Sequence, residues 1–414
     1  MEFDDYINEK TETLSLSSTT RHKCSSLTDE LWISSGIERV LQKVSSGREY
    51  LQTLHDGGCE IPLSTYFDSN CSKRRANHIK NVLDKFIQTQ YIEPDLDPIF
   101  EAFPVLKEFE IRAIDGHHIQ HSTHSNKVVD KNGDLSYLSS NTLYIHDLRT
   151  RMVSPFEYAG SLESKEHEMK ALKRAFKNLP SELRRSIYIV DRAYFDAPFW
   201  NNMKNAGMYT VQRMKENVKH VSSIPLTYDK TDSINNGVIS YDMVASDKGE
   251  YYYQITYYCH LRKETFKFAT TLKNFPPGVI PYLYKLRWNI EKVFDVFKNE
   301  LFEKKAWSKK DYGQKIQSCF IALTYNLMIT FENYLYCNHA LSDEKVIKKQ
   351  ADRNLKMMKT CREQVKRMNP LYFRVKKASR LSCQFIRSFR YHYIHSTLIQ
   401  ETIEIFKRHM LAYI

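Results

Sequence analysis

The sequence predicts an α/β protein: a mixed-sheet core that carries an all-β insertion and is flanked by helical regions on both sides. Three observations predict it. From Phe109 the pattern turns to short strands in succession, FEIRAID, IQHSTHSNKVV and NTLYIHDL, each bounded by Gly, Asn or Asp. Behind them an amphipathic helix at about Lys165 to Leu179 leads into the apolar strand SIYIV, and such alternation builds a sheet with helices on its faces. From about Leu301 the periodicity is helical throughout.

Taken in order, residues 1–105 predict a separable helical unit, with helices at Asp29 to Val44 and Cys71 to Gln90 and a break at Pro94 and Pro98. The second helix is basic, with Lys73, Arg74, Arg75, Lys80 and Lys85, and suits either a DNA surface or a charged helix on a small bundle. Residues 106–213 form the first part of the core and end with a helix at Ala197 to Ala206 and the strand MYTVQ. Residues 214–266 are rich in Tyr, Val, Ile and Thr (GVISYDMVA, EYYYQITYYCHL) and predict the β insertion. In 267–301 PPGVIPYLY opens a long helix, and its prolines stand where a helix start tolerates them. Residues 302–414 predict helices at Gln314 to Tyr336, Ser342 to Met368 and Phe373 to Arg390.

At 414 residues with 42% hydrophobic side chains, the chain is long enough for two to four folded units. The net charge of +12 favours a polyanionic partner. The excess is concentrated: Leu301 to Ile414 holds 22 Lys and Arg against 9 Asp and Glu, which leaves the rest of the chain close to neutral. A phosphate backbone is the natural counterpart of such a lopsided segment. Eight cysteines without a C-x-x-C pair argue against a zinc site or a disulfide framework and for a reducing compartment. The acidic start MEFDDYINEK lacks the apolar stretch of a secretory signal. The most apolar run, Phe320 to Phe331, is shorter than the roughly 20 residues that span a bilayer and predicts a buried helix.

The stretch Tyr284 to Lys298, YKLRWNIEKVFDVFK, places chemistry on one side of a helix. At about 100° per residue, Tyr284, Arg287, Glu291 and Lys298 fall within roughly 60° of arc. Leu283, Leu286, Ile290, Val293, Phe294, Phe297 and Leu301 make a continuous apolar stripe beside them. An amphipathic surface helix with an Arg287/Glu291 pair is the plain alternative. Two acids upstream change the balance. Asp115 closes FEIRAID before Gly116, and Asp191 closes SIYIV before Arg192. Singly, an Asp before Gly suits a turn and an Asp after a strand suits a helix N-cap. In combination with Glu291 they form a set of carboxylates suited to hard divalent cations, Mg²⁺ or Mn²⁺. Two such ions activate the attacking oxygen and stabilise the leaving one in phosphodiester transfer.

At these residues the chain resembles the DDE transposases of bacterial insertion sequences, in the insertion-sequence-four group marked by Y-x2-R-x3-E-x6-K. Tyr284, Arg287, Glu291 and Lys298 match that spacing without a gap, while Asp115-Gly116 and Asp191-Arg192-Ala193-Tyr194 resemble the group's two Asp motifs. The resemblance covers about Phe109 to Leu301 and implies an RNase H-like catalytic core. It implies Asp115, Asp191 and Glu291 as catalytic, metal-binding residues for two Mg²⁺ or Mn²⁺ ions. Tyr284, Arg287, Lys298 and Arg192 become DNA-binding residues, and Trp288 a base-stacking one, although an indole beside an apolar stripe more commonly packs. The departure is His117-His118, where many relatives have a small hydroxyl residue; a hydrogen-bonded loop histidine is the commoner role.

The expected function is cut-and-paste transposition at the element's own terminal inverted repeats, through a hairpin, by a homodimer on double-stranded DNA in a bacterial cytoplasm. A DNA-binding protein derived from a transposase but without catalysis, and an RNase H-like nuclease, are the alternatives.

Overall fold

The computed structural model describes all residues except 17–25, 45, 91–96, 123–126, 130–132, 138–139, 161–165, 180–184, 217, 302, 304, 342–343, 375–382 and 412–414. Its centre is a nine-stranded sheet. The first three strands form an antiparallel meander: β1 (Glu110–Ile119), β2 (Ser140–Asp147) and β3 (Val153–Ala159). Next, β4 (Ser186–Val190) and β5 (Met208–Arg213) run parallel to β1, giving the order β3-β2-β1-β4-β5. Each parallel strand is reached through a helix, α4 (Glu168–Lys177) before β4 and α5 (Ala197–Asn205) before β5, as parallel pairing requires. Asp196 caps α5 through Phe199 N–H, and Pro198 occupies its first turn.

The predicted insertion continues this sheet. Its strands β6 (His220–Pro225), β7 (Val238–Ser246), β8 (Tyr251–Cys259) and β9 (Glu264–Thr270) pair antiparallel, and β9 bonds back to β5 through Phe268, Ala269 and Thr270. The edge of the core sheet is thereby covered by the inserted strands.

Alternation along the strands gives the sheet two packed faces. Ile114, Tyr188 and Val190 lie in a cluster with Leu172 and Phe176 of α4 and Trp200 of α5. Ile111, Ala113, Ile187 and Ile189 face the larger cluster, which includes α6 (Val279–Leu286), α7 (Trp288–Asn299) and α8 (Asp311–His339). Every residue of the predicted apolar stripe from Leu283 to Leu301 is buried there. The predicted continuous helix is instead two, α6 and α7, tightened at Arg287 by i to i+3 bonds from Arg287 N–H to Tyr284 O and from Ile290 N–H to Arg287 O.

The apolar run Phe320 to Phe331 sits inside α8 and is buried throughout. Its polar residue Asn326 is satisfied by strand β3, accepting from Val153 N–H at 2.9 Å and donating to Val153 O at 2.9 Å. Among the described residues no helix is long and apolar enough to cross a membrane.

The two ends of the chain pack together on α8. In the N-terminal region α1 (Phe3–Leu16), α2 (Asp29–Gln42) and α3 (Lys73–Thr89) share the larger core with two helices from the other end, α10 (Cys383–Ile394) and α11 (Ile399–Leu411). The ring of Phe3 meets Phe331 of α8 and Phe389 of α10 edge-on. The N-terminal helices are thus part of one body with the C-terminal ones, where the sequence suggests a separable unit. Neither α1 nor α11 is among the helices expected from the sequence. Arg74 and Arg75 of the basic helix α3 hold the buried Asp29 at 2.8 and 3.3 Å, which makes α3 a charged bundle helix at these positions. Between α8 and α10 runs the basic α9 (Glu344–Thr360); of the helix expected at Phe373 to Arg390, Phe373 ends a 3-10 turn, residues 375–382 lie outside the described residues and α10 forms the rest.

Candidate active site

Register brings the two aspartates together. On the parallel pair β1–β4 the last partners are Ile114 and Val190, so Asp115 and Asp191 are the next residue on each of two neighbouring strands, whose backbones stand about 4.8 Å apart. Alternation also fixes their direction: both continue the rows Ile111, Ala113 and Ile187, Ile189, toward α6 and α7. Strand β1 does not stop at Asp115, as the sequence suggests; it runs to Ile119 because β2 pairs with it over that length. Asp191 stands at an N-cap position ahead of the short turn Arg192–Tyr194, yet its side chain makes no cap bond. It accepts from the Tyr284 hydroxyl at 3.1 Å instead.

Helix α7 and the tight step before it bring in the third acid. Arg287, nearly buried, donates from Nη1 to Asp115 Oδ2 at 2.7 Å and from Nη2 to Glu291 Oε1 at 2.6 Å. Its guanidinium lies 5.7 Å from the Tyr284 ring. One cation therefore ties two of the predicted acids together, while Tyr284 holds the other. Lys298, Trp288 and Arg192 are exposed, Trp288 by 57%, so the indole is not packed into the apolar stripe.

The electrostatics follow from this crowding. Burial pushes the Asp115 carboxyl up to about 6, against the lowering effect of Arg287 and of the Gly116 N–H bond, and with Asp191 and Glu168 adding to the rise. Burial also raises the Tyr284 hydroxyl to about 12, opposed by Arg287 and reinforced by Asp191. For Arg287 burial acts to lower the pKa, but Asp115, Tyr284 and Glu291 outweigh it and hold the guanidinium above its ordinary value.

Donor chemistry at this place fits a hard divalent cation: Asp115, Asp191 and Glu291 offer carboxylate oxygens. As the side chains stand, no three His, Cys, Asp or Glu among the described residues are close enough to enclose an ion. The reason is visible at Arg287, which occupies the oxygens of two of the three acids.

His117 is not part of this set. It is buried in β1, where its Nε2 pairs with Glu303 Oε2 at 2.7 Å and its ring lies 4.7 Å from that of Phe294. The commoner loop-histidine reading gives way to a strand histidine that pins β1 to the segment after α7. Both partners are almost fully buried, so removing either one leaves a buried polar group unsatisfied, at a cost of about 3–5 kcal/mol if the pair is ionic. His118 is exposed and lies 3.8 Å from Glu168.

Glu168 carries no motif of its own in the sequence. It stands in the first turn of α4 and reaches the Asp115 corner from the other side of the sheet. A Cβ on Gly116 would lie 2.6 Å from Glu168 Oε1, so the glycine after Asp115 is what admits this carboxylate. The spacing that reveals it exists only after folding.

A 3-2-1-4-5 sheet with its first three strands antiparallel, bearing acids where the parallel pairing of its central strands ends, is an RNase H-like core. Residues 107–327, more than half of the chain, match the transposase DDE domain family, and the chain belongs to that family. One solved structure, a cryo-EM structure of piggyBac transposase synaptic complex with hairpin DNA, is similar at 12% identity over 98% of this chain and 83% of that chain, with a TM-score of 0.35. No curated protein matches the chain.

Proposed function

We propose that this protein is a cut-and-paste transposase that cleaves and rejoins DNA at the terminal inverted repeats of its own insertion sequence. The observation that carries the reading is the convergence of Asp115 and Asp191, adjacent in strand register, with Glu291 through the shared Arg287. Asp115, Asp191 and Glu291 would hold two divalent cations, Mg²⁺ or Mn²⁺, which would activate the attacking oxygen and stabilise the leaving one.

The chain's own residues do the rest. Arg287 has the planar fork that suits carboxylate and phosphate alike, so it can exchange a carboxylate of the triad for a phosphate of the strand being cut. Tyr284 orients Asp191 through its hydroxyl and, with its pKa raised, remains a neutral donor through the physiological range. Exposed Lys298 and Arg192 meet neighbouring phosphates, and Trp288 offers a free indole face for a base displaced in a hairpin. The basic C-terminal segment, including α9, supplies non-specific backbone affinity, and two copies bring two ends together.

A competition experiment tests the substrate. A duplex carrying the element's terminal repeat should outcompete random duplex by about 10³ or more at fixed salt, and both affinities should fall steeply as salt rises. Equal affinity for the two duplexes would contradict end recognition.

A further inference from the structure

Resting on the proposed action at DNA ends, we infer that α10 reads base pairs of the terminal repeat through Gln384 and Arg387. The helix has two unlike sides. At about 100° per residue its buried side chains Phe385, Ile386, Phe389 and Tyr393 fall on one arc, while Gln384, Arg387, Ser388 and Tyr391 share roughly 100° of the opposite one. Over that polar side opens a cavity of about 450 Å³, walled by these four residues, His392 and Ile405 of α11. Gln384 and Arg387 are exposed there, and neither makes a hydrogen bond or ion pair among the described residues. By contrast Arg74 and Arg75 are engaged by Asp29, and Arg390 by Glu300.

Charge selects the occupant. Residues 364–400, which include α10, hold eight Lys and Arg and no Asp or Glu. A second copy of this chain would set like charges against each other here, whereas a duplex brings phosphates. Phosphate alone asks only for cations, and this face offers a side-chain amide, a guanidinium fork and an aromatic ring side by side. Those groups read base edges in the major groove, Gln at adenine N6 and N7 and Arg at guanine O6 and N7. Their spacing suits the task. Gln384 and Arg387 stand about 4.5 Å apart along the helix axis, close to the roughly 3.4 Å step of a duplex, so they reach neighbouring base pairs. Tyr391, 56% exposed and with the His395 ring 4.5 Å away, adds an apolar surface one turn further on.

The helix is also fixed relative to the catalytic residues. Its apolar side packs through Phe389 on Phe3 at 5.1 Å and on Phe331 at 5.8 Å, and the Tyr393 hydroxyl donates to Asn8 Oδ1 at 2.8 Å. On the flank next to Arg387, Arg390 donates from Nη2 to the backbone oxygen of Glu300 and stands 3.8 Å from its carboxylate. Glu300 caps the C-terminal end of α7, the helix that carries Glu291 and Lys298. From Glu291 to Glu300 the chain rises about 13 Å along that helix. A base pair held on α10 therefore lies at a set distance from the strand being cut.

The measurement is competition between the end duplex and random duplex for the full chain at fixed salt, repeated with the repeat altered one base pair at a time. Gln384→Ala and Arg387→Lys both keep the net charge and lie on the exposed side of the helix. Each should lower the preference for the end duplex about tenfold, leave random-duplex affinity unchanged, and become indifferent to substitution of one base pair. Equal loss on both duplexes would make this face a phosphate contact and overturn base reading. A preference retained by either variant removes that residue from the reading face; retained by both, it overturns the role of α10 while end recognition stands. If sedimentation then shows the variants at lower mass than the unsubstituted protein, the face belongs to a second copy. Indifference of the unsubstituted protein to the repeat overturns end recognition and this inference with it.

Discussion

Replacing Asp191 with Ala is expected to lower Mg²⁺-dependent nicking of an end-bearing duplex to background, a loss on the order of 10⁴-fold, while binding to that duplex in EDTA is retained. Asp191 is the most informative of the three acids to remove. Its side chain makes no cap bond and accepts from the Tyr284 hydroxyl, whereas Asp115 is paired with Arg287, so the fold depends on Asp191 less than on Asp115. Asp115→Ala and Glu291→Ala should give the same loss, because residues acting as one unit fail together and their effects do not add. A nicking assay with and without Mg²⁺ on the three purified variants decides the matter. Cleavage retained in any one of them would remove that residue from the triad.

Substitution of Arg287 by Ala is expected to destabilise the protein in EDTA and to be largely rescued by Mn²⁺. The guanidinium is the shared counter-charge of Asp115 and Glu291, and its removal leaves two carboxylates facing each other in a partly buried corner. Breaking a fully buried pair costs about 3–5 kcal/mol; with Asp115 and Glu291 at 21% and 29% side-chain exposure, about 2–3 kcal/mol is expected here. The pH dependence has a definite sign. The folded-state pKa of Asp115 already lies above its ordinary value, and loss of Arg287 moves it further up, so the destabilisation is full at high pH and shrinks as pH falls through that raised pKa. Melting curves at pH 8 and pH 5, with and without Mn²⁺, measure all of this. A divalent cation replaces the lost positive charge and should restore most of the melting temperature at pH 8. Cleavage should remain defective even with the fold restored, because the phosphate fork is gone, and Arg287→Lys should not recover it. Equal destabilisation at both pH values, insensitive to Mn²⁺, would mean that Arg287 acts only as packing.

Much of this site was legible before folding, for a physical reason. A helix converts sequence spacing directly into direction, so Tyr284, Arg287 and Glu291 could be placed on one side of α6 and α7, and the stripe from Leu283 to Leu301 on the other. Strand ends gave Asp115 and Asp191, since an apolar run that stops at an acid marks where a buried strand emerges. What the spacing could not show is pairing between distant segments. Asp115 looks terminal in its own strand, but β2 extends that strand to Ile119; His117 looks like a loop residue until Glu303 arrives from 186 positions away. The β insertion was visible as strands, whereas its bond to β5, which turns a five-stranded core into nine strands, depends on a register that local pattern does not encode. Glu168 is the extreme case, because its meaning rests on the missing Cβ of a glycine in another element. For Arg287 the resemblance implied a phosphate contact, and in the folded chain it pairs with Asp115 as well as with Glu291, the partner that helix spacing had offered.

The central claim is that Asp115, Asp191 and Glu291 enclose divalent cations once Arg287 releases two of them to meet the DNA. A crystal structure of the protein bound to its end duplex in Mn²⁺, with anomalous diffraction to locate the metal, tests it most directly. The account predicts Mn²⁺ peaks within coordination distance of all three carboxylates and Arg287 turned onto a phosphate. Mn²⁺ bound elsewhere, or Arg287 still paired with Asp115 and Glu291 beside a positioned DNA strand, would contradict it.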